Sequence, residues 1–326
     1  MALRALDNTL PVATAERPKK LPKLSATAAV VPAASPEGKR KKNDENSAPK
    51  ATAAAAAAAA GEQAVEYVRS EDLQPVPHPK AKVAGLVAEL DSKDWIRACE
   101  ALNDARRLAI HHSSLLNPIL EKVMLAIVKT MKSPRSAVCK TSIMACTDVF
   151  NSFGNLLSST SDDAFDKLLL QLLLKASQDK RFVAEEAEKA MRAMAASMPP
   201  LPLLKKLKPY VHHANLRVRA KAAVAMSQCA SRMDIATMKE FGMSAMLQVA
   251  AELLSDRLPE AREAARGMVN SMHAAFSKEA AAAREGEEGG EAAAMAAASW
   301  ESLCALSLPP ISAQSVAKIV SQSQSQ

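Results

Sequence analysis

Five short polar segments, recurring about every 40 residues, limit the folds open to this chain more than any other feature. They are 91–94, 132–136, 178–181, 213–216 and 255–259. Each separates two stretches whose apolar residues recur at helical spacing. Val83, Leu86, Val87 and Leu90 precede the first segment, and Ile96, Cys99, Leu102 and Ala105 follow it. Phe165, Leu168, Leu169, Leu172 and Leu173 precede the third, and Val183, Ala187, Ala190, Met191 and Met194 follow. Marked at Asp91, Ser133, Asp179, Asn215 and Asp256, the intervals are 42, 46, 36 and 41 residues. The pattern predicts ten helices in five pairs. A pair with one apolar face cannot cover that face itself, so neighbouring pairs stack into a solenoid.

Composition agrees. The chain is 48% hydrophobic but only 3% aromatic, with 9 glycines in 326 residues. That balance favours helices over β-branched, aromatic sandwiches or barrels. Several second helices are rich in small residues, as in "AEEAEKAMRAM" and "RAKAAVAM", which suits close packing of one helix layer on the next. The fold class is all-α: an α-solenoid of five to six helical pairs of the HEAT or armadillo kind. Trp300, Leu303 and Cys304, then Val316, Ile319 and Val320, supply a shorter sixth pair that caps the array. Residues 1–75 read as a basic, alanine-rich disordered tail and 76–320 as the repeat domain. An acidic Gly/Ala-rich loop insertion falls at 279–291, and 321–326 form a disordered tail.

Charge and motifs narrow the function. The net charge is +7, and residues 76–278 alone carry 29 Lys/Arg against 20 Asp/Glu. A basic folded body points to an acidic partner. No apolar run reaches the ~18 residues that span a bilayer, and no secretory signal opens the chain. These features predict an intracellular protein. The basic run at 39–42 allows nuclear entry or an electrostatic foot on a polyanion. None of the five cysteines forms a CxxC pair; they read as buried, reduced thiols. The adjacent pairs His111–His112 and His212–His213 point about 100° apart on a helix, which is poor for joint ligation. No phosphate-loop, dinucleotide or nucleophile-elbow motif is present. The reading is therefore no enzyme, no cofactor, no metal and no small-molecule substrate.

Turns of one type lie along one edge of a helical-pair solenoid, so their contents add up to one strip. The first offers Lys93 and Trp95, the second Arg135 with Lys140 a turn further on, and the third Lys180 and Arg181. The fourth offers Arg217 and Arg219, and the fifth Arg257. "SKDWIRACEAL" resembles the first repeat of a tumour-overexpressed-gene (TOG) domain, and "SPRSAV" and "FVAEEAEKAMRAM" resemble the second and third repeats in the CLASP and crescerin group. The likeness extends over 79–320. It implies a paddle of about six HEAT repeats that binds tubulin or microtubules through its intra-repeat turns. By the resemblance Trp95 meets one tubulin subunit and the later basic residues meet acidic surface. Pro134 and Val138 are the candidates for the apolar contact that many members carry in the second turn. The implied location is the cytoplasmic microtubule cytoskeleton. An indole tucked under the adjacent helix is the plain alternative for Trp95. The rival function is a HEAT or armadillo adaptor that grips a peptide along its second helices, for which these helices lack an Asn/Trp ladder. Nucleic acid is disfavoured, because the basic strip lacks the interleaved aromatics of single-strand binders.

Overall fold

The computed structural model describes residues 67–157, 162–285 and 299–324, and every regular element among them is helical. The helical pairs are α1 (Pro79–Leu90) with α2 (Trp95–His111), α4 (Leu120–Met131) with α5 (Ser136–Leu157), and α6 (Asp162–Ala176) with α7 (Arg181–Ser197). They continue as α8 (Pro200–Leu207) with α9 (Leu216–Ala230), and α11 (Met243–Leu254) with α12 (Pro259–Glu285). Two short helices, α3 (Ser113–Leu116) and α10 (Ile235–Phe241), join pairs, and α13 (Trp300–Ser307) and α14 (Pro310–Gln324) follow. Helices α1, α8, α12 and α14 each begin on a proline, where the missing N–H is no loss.

The predicted pairing holds throughout. The second helices α2, α5, α7, α9 and α12 stack on one another as one layer, and α1, α4 and α6 begin the other. Between the layers runs one continuous core of Leu, Met, Ile, Val and Ala, with Phe150, Phe153, Phe165 and Trp300 as its aromatic members. Small residues set the spacing of the second-helix layer. A Cβ on Gly154 of α5 would lie 2.6 Å from the backbone carbonyl atoms of Ser197, at the end of α7. A Cβ on Gly267 of α12 would lie 2.6 Å from Ser227 Oγ of α9.

Residues 67–75, assigned above to the tail, belong instead to the folded body. They form a strap across the outer face of α2 and α5. Its lock is Arg106 of α2 and Asp148 of α5, only 1% and 2% exposed, with Arg106 Nε 2.7 Å from Asp148 Oδ2. Arg106 also donates to the Val68 carbonyl (2.8 Å), to Asn103 Oδ1 (2.9 Å) and to Ser70 Oγ (3.3 Å). Ser70 Oγ in turn donates to Asp148 Oδ1 at 2.7 Å. The Leu73 carbonyl accepts from His111 Nε2 at 2.7 Å, and the Leu73 and Val76 side chains are buried. A buried charge pair is tolerable only when its remaining polar atoms are also met; here the strap supplies those partners.

Two other boundaries move. The insertion read as a loop over 279–291 is helical as far as Glu285, the end of α12, because its alanines favour helix. Residues 286–291 lie outside the described residues, as do 1–66. Residues 321–324, read as tail, complete α14. The cap forms as expected, with Trp300, Cys304, Val316 and Val320 buried. Trp300 stacks edge-on against His273 and Phe276 of α12, at centroid distances of 5.2 and 5.7 Å. Burial lowers the His273 pKa there. Ser307, however, bonds Ser244 and Gln248 at the start of α11. The α13–α14 turn thus sits at the end of α11 remote from the fifth turn.

Two predictions follow from this packing. Gly154→Ala forces backbone against backbone and should cost about 1–3 kcal/mol, whereas Gly85→Ala meets only the flexible Glu89 carboxylate and should gain up to about 1 kcal/mol; thermal unfolding separates the two. Asp148→Ala strands the buried Arg106 charge and should cost about 3–5 kcal/mol. Replacing both Arg106 and Asp148 by Leu should recover much of that loss in urea titrations.

Candidate functional site at the rim of turns

Four of the five intra-repeat turns share a local device. A short polar side chain accepts the amide proton two residues on, which ends one helix and starts the next. Asp94 Oδ1 accepts from the Ile96 amide at 2.9 Å, Asn215 Oδ1 from Arg217 at 2.9 Å, and Asp256 Oδ1 from Leu258 at 2.8 Å. Ser133 Oγ does the same for Arg135 at 3.2 Å. Only the third turn lacks such a cap; there Lys180 precedes α7 with no side-chain acceptor.

These turns touch in series. Trp95 and Lys93 from the first share a cleft of about 300 Å³ with Pro134 and Arg135 from the second. Lys180 Nζ from the third donates to Ser136 Oγ at 3.2 Å. Arg217 from the fourth pairs with Asp179 of the third and donates to the Ser177 carbonyl at 3.4 Å. A groove of about 970 Å³ runs between the third, fourth and fifth turns, lined by Leu174, Asp179, Lys180, Arg217 and Leu258. Arg219 NH2 lies 3.0 Å from Asp256 Oδ2, joining fourth and fifth. The predicted strip is therefore a continuous rim.

Its residues are not equivalent. Trp95 is half-buried and packs on the core cluster, with the Arg135 guanidinium 5.3 Å above the ring centroid. Of the two apolar candidates in the second turn, Val138 is buried and Pro134 is exposed. Arg181 Nε bonds Glu185 at 2.7 Å, and that hydrogen bond raises its pKa. Arg217 and Arg219 meet Asp179 and Asp256. Lys140 turns onto the second-helix face, 3.8 Å from Glu186, with Nζ 4.4 Å above the Tyr67 ring of the strap. Four of the predicted cations thus already face a carboxylate of this chain. Lys93 and Arg257 are exposed and form no ion pair among the described residues. Further cations knit repeats together in the same way: Lys129 with Asp91, and Lys221 with Glu188 and Glu260 at 2.7 and 2.6 Å. Burial pulls the Lys221 pKa down, and its two carboxylate partners more than offset this.

Residues outside the predicted set also reach the rim. Ile96 and Phe182, each the second residue of a second helix, expose 43% and 42% of their surface. Each stands beside an expected contact, Trp95 or Arg181, and an apolar residue at that register was the available signal. The histidine pairs split, as their angular separation predicts. His111 holds the strap, His213 Nδ1 accepts from the Asn215 amide at 3.0 Å, and His212 lies 3.5 Å from Glu252. All five cysteines are buried free thiols, and burial drives the Cys229 pKa up to about 12. Among the described residues no cluster of His, Cys, Asp or Glu fits a metal ion, and no helix is long and apolar enough to cross a membrane.

Comparison with known proteins agrees with this architecture. Residues 109–286 match the family model described as CLASP N terminal. The TOG array regulator of axonemal microtubules protein 1 of Mus musculus is 28% identical over 219 residues, which cover 65% of this chain and 12% of that protein. The chain thus spans about an eighth of that relative's length. The solved TOG domain of C. elegans Zyg9 superposes with a TM-score of 0.51 at 14% identity, covering 79% of this chain and 91% of that one. A chain solved in work on microtubule plus-end tracking by XMAP215, CLIP-170 and EB1 gives a TM-score of 0.52 at 14% identity, over 77% and 94%. The family match covers more than half of the sequence: the chain belongs to the CLASP N-terminal family, as a TOG-domain protein of the CLASP and crescerin group.

Proposed function

We propose that this protein is a microtubule-associated scaffold that binds tubulin through the rim of intra-repeat turns. The observation that carries the reading is the unbroken contact from the Trp95–Arg135 cleft to Leu258, which makes five separate turns one surface. The relative named as a regulator of axonemal microtubules supports the same class of partner. Tubulin is acidic, and the unpaired Lys93 and Arg257 lie at opposite ends of the rim. They steer encounter and set a salt-dependent on-rate. Shallow turns bury modest area, so the complex is transient. A second contact comes from residues 1–66, whose basic run at 39–42 adds attraction for the polymer lattice.

The adaptor reading needs the second-helix face to be open. In the first two repeats that face is covered by the strap, with the Arg106 guanidinium already bonded to strap atoms. Further along it is Ala- and Met-rich. The rim therefore suits a partner better than the face does.

Gel filtration of the full chain with tubulin at low salt should give a complex that weakens as salt rises. Lys93→Glu or Arg257→Glu should lower affinity about tenfold without altering thermal stability. Arg217→Ala, whose charge Asp179 already neutralises, should change it less than about threefold. Equal effects of all three would contradict the pairing analysis, and no complex at any salt would contradict the function. Removing 1–66 while keeping the strap should weaken microtubule co-sedimentation and leave dimer binding unchanged.

A further inference from the structure

Aromatic side chains are scarce here: six Phe, two Trp and two Tyr in 326 residues. All ten lie among the described residues, and nine are engaged inside the molecule. Phe150, Phe153, Phe165 and Trp300 are buried. Trp95, Tyr210, Phe241 and Phe276 pack on the core cluster, and Tyr67 lies under Lys140. Phe182 alone does none of these. It is 42% exposed, outside the set packed on the core, and followed at once by the buried Val183. Single exposed apolar residues are ordinary, but this one stands on the rim. Lys180 and Arg181 precede it at the third turn, and Ile96 occupies the same register in the first repeat.

We infer that Phe182 is the apolar anchor by which the rim grips its acidic partner, with Ile96 beside Trp95 as a lesser contact; the inference rests on the tubulin reading. Trp95 is half-buried, packs partly on the core and lies under the Arg135 guanidinium, so less of its ring than of Phe182 is open to a partner. The division follows from the charges. Glu185 already meets Arg181, while Lys180 bonds only the Ser136 hydroxyl, so the third turn presents an aromatic ring beside an oriented lysine that forms no ion pair among the described residues. Such a surface fits an acidic patch with an apolar notch. Desolvated aromatic anchors carry most of the energy of many interfaces, whereas rim cations govern rate and salt response. Affinity should therefore contain a salt-insensitive part that belongs to Phe182.

The test is the dissociation constant of the full chain for purified tubulin dimers at two salt concentrations, with thermal midpoints measured alongside. Phe182→Ala should weaken binding about tenfold at both salts, leaving the salt dependence and the midpoint unchanged. Phe182→Leu should stay within about threefold of the unsubstituted chain. Should Phe182→Ala bind normally while Lys93→Glu weakens binding, the anchor assignment is overturned and the tubulin reading stands. A Phe182→Ala chain that binds weakly only because its midpoint has fallen overturns the assignment as well. If the unsubstituted chain binds no tubulin at low salt, both readings fail together.

Discussion

Gly154 lies so close to Ser197 that no Cβ fits between them, and that approach governs the rest of the molecule. The second helices approach this tightly where a glycine meets a small residue, at Gly154 and Ser197 between α5 and α7 and at Gly267 and Ser227 between α12 and α9. Tight stacking keeps the displacement from repeat to repeat small, so each intra-repeat turn comes to lie beside the next. The cap device at Asp94, Ser133, Asn215 and Asp256 then fixes where each second helix begins. Gly154 and Ser197 lie near the C-terminal ends of α5 and α7, so a bulkier residue there would spread the layer at the end away from the turns.

Electrostatics divides the molecule into paired and unpaired regions. Several cations on and near the rim reach a carboxylate about one repeat away in sequence, as Arg217 does Asp179 and Arg219 does Asp256. These pairs are partly solvated and worth little individually, but they lock the order of the turns. What remains for a partner is a smaller set: unpaired Lys93 and Arg257 and the apolar Ile96 and Phe182. Away from the turns, the Arg106–Asp148 pair holds the strap and covers the second-helix face of the first two repeats. One layer thus has a face that is covered over its first two repeats and an open edge of turns.

The repeats were legible because helical periodicity and polar turns are local signals that the chain renews in every pair. The cap was legible for the same reason. The strap was not. Arg106 reads in sequence as one more cation on an amphipathic helix, and its partner Asp148 stands 42 residues away inside the apolar run of α5. Helix α10 was missed because only Met238 is buried along its seven residues, although Asp234 at its start and Gly242 with φ of +104° at its end both mark it. At the rim, the residue types were readable but most of the pairing was not, since the acids that meet Lys140, Arg217 and Arg219 sit on another repeat and only Arg181 finds its partner, Glu185, on its own helix. The roles of Trp95 and Phe182 turned on side-chain direction: in sequence both are simply aromatics at the start of a second helix.

The most direct test of the rim as the binding surface is hydrogen exchange of the full chain with and without tubulin. Slower exchange across 91–97, 132–136, 177–183, 213–217 and 255–258, with the strap and the outer second-helix face unchanged, is the predicted result. Protection confined to that outer face, with the turns exchanging as in the free protein, would contradict the account.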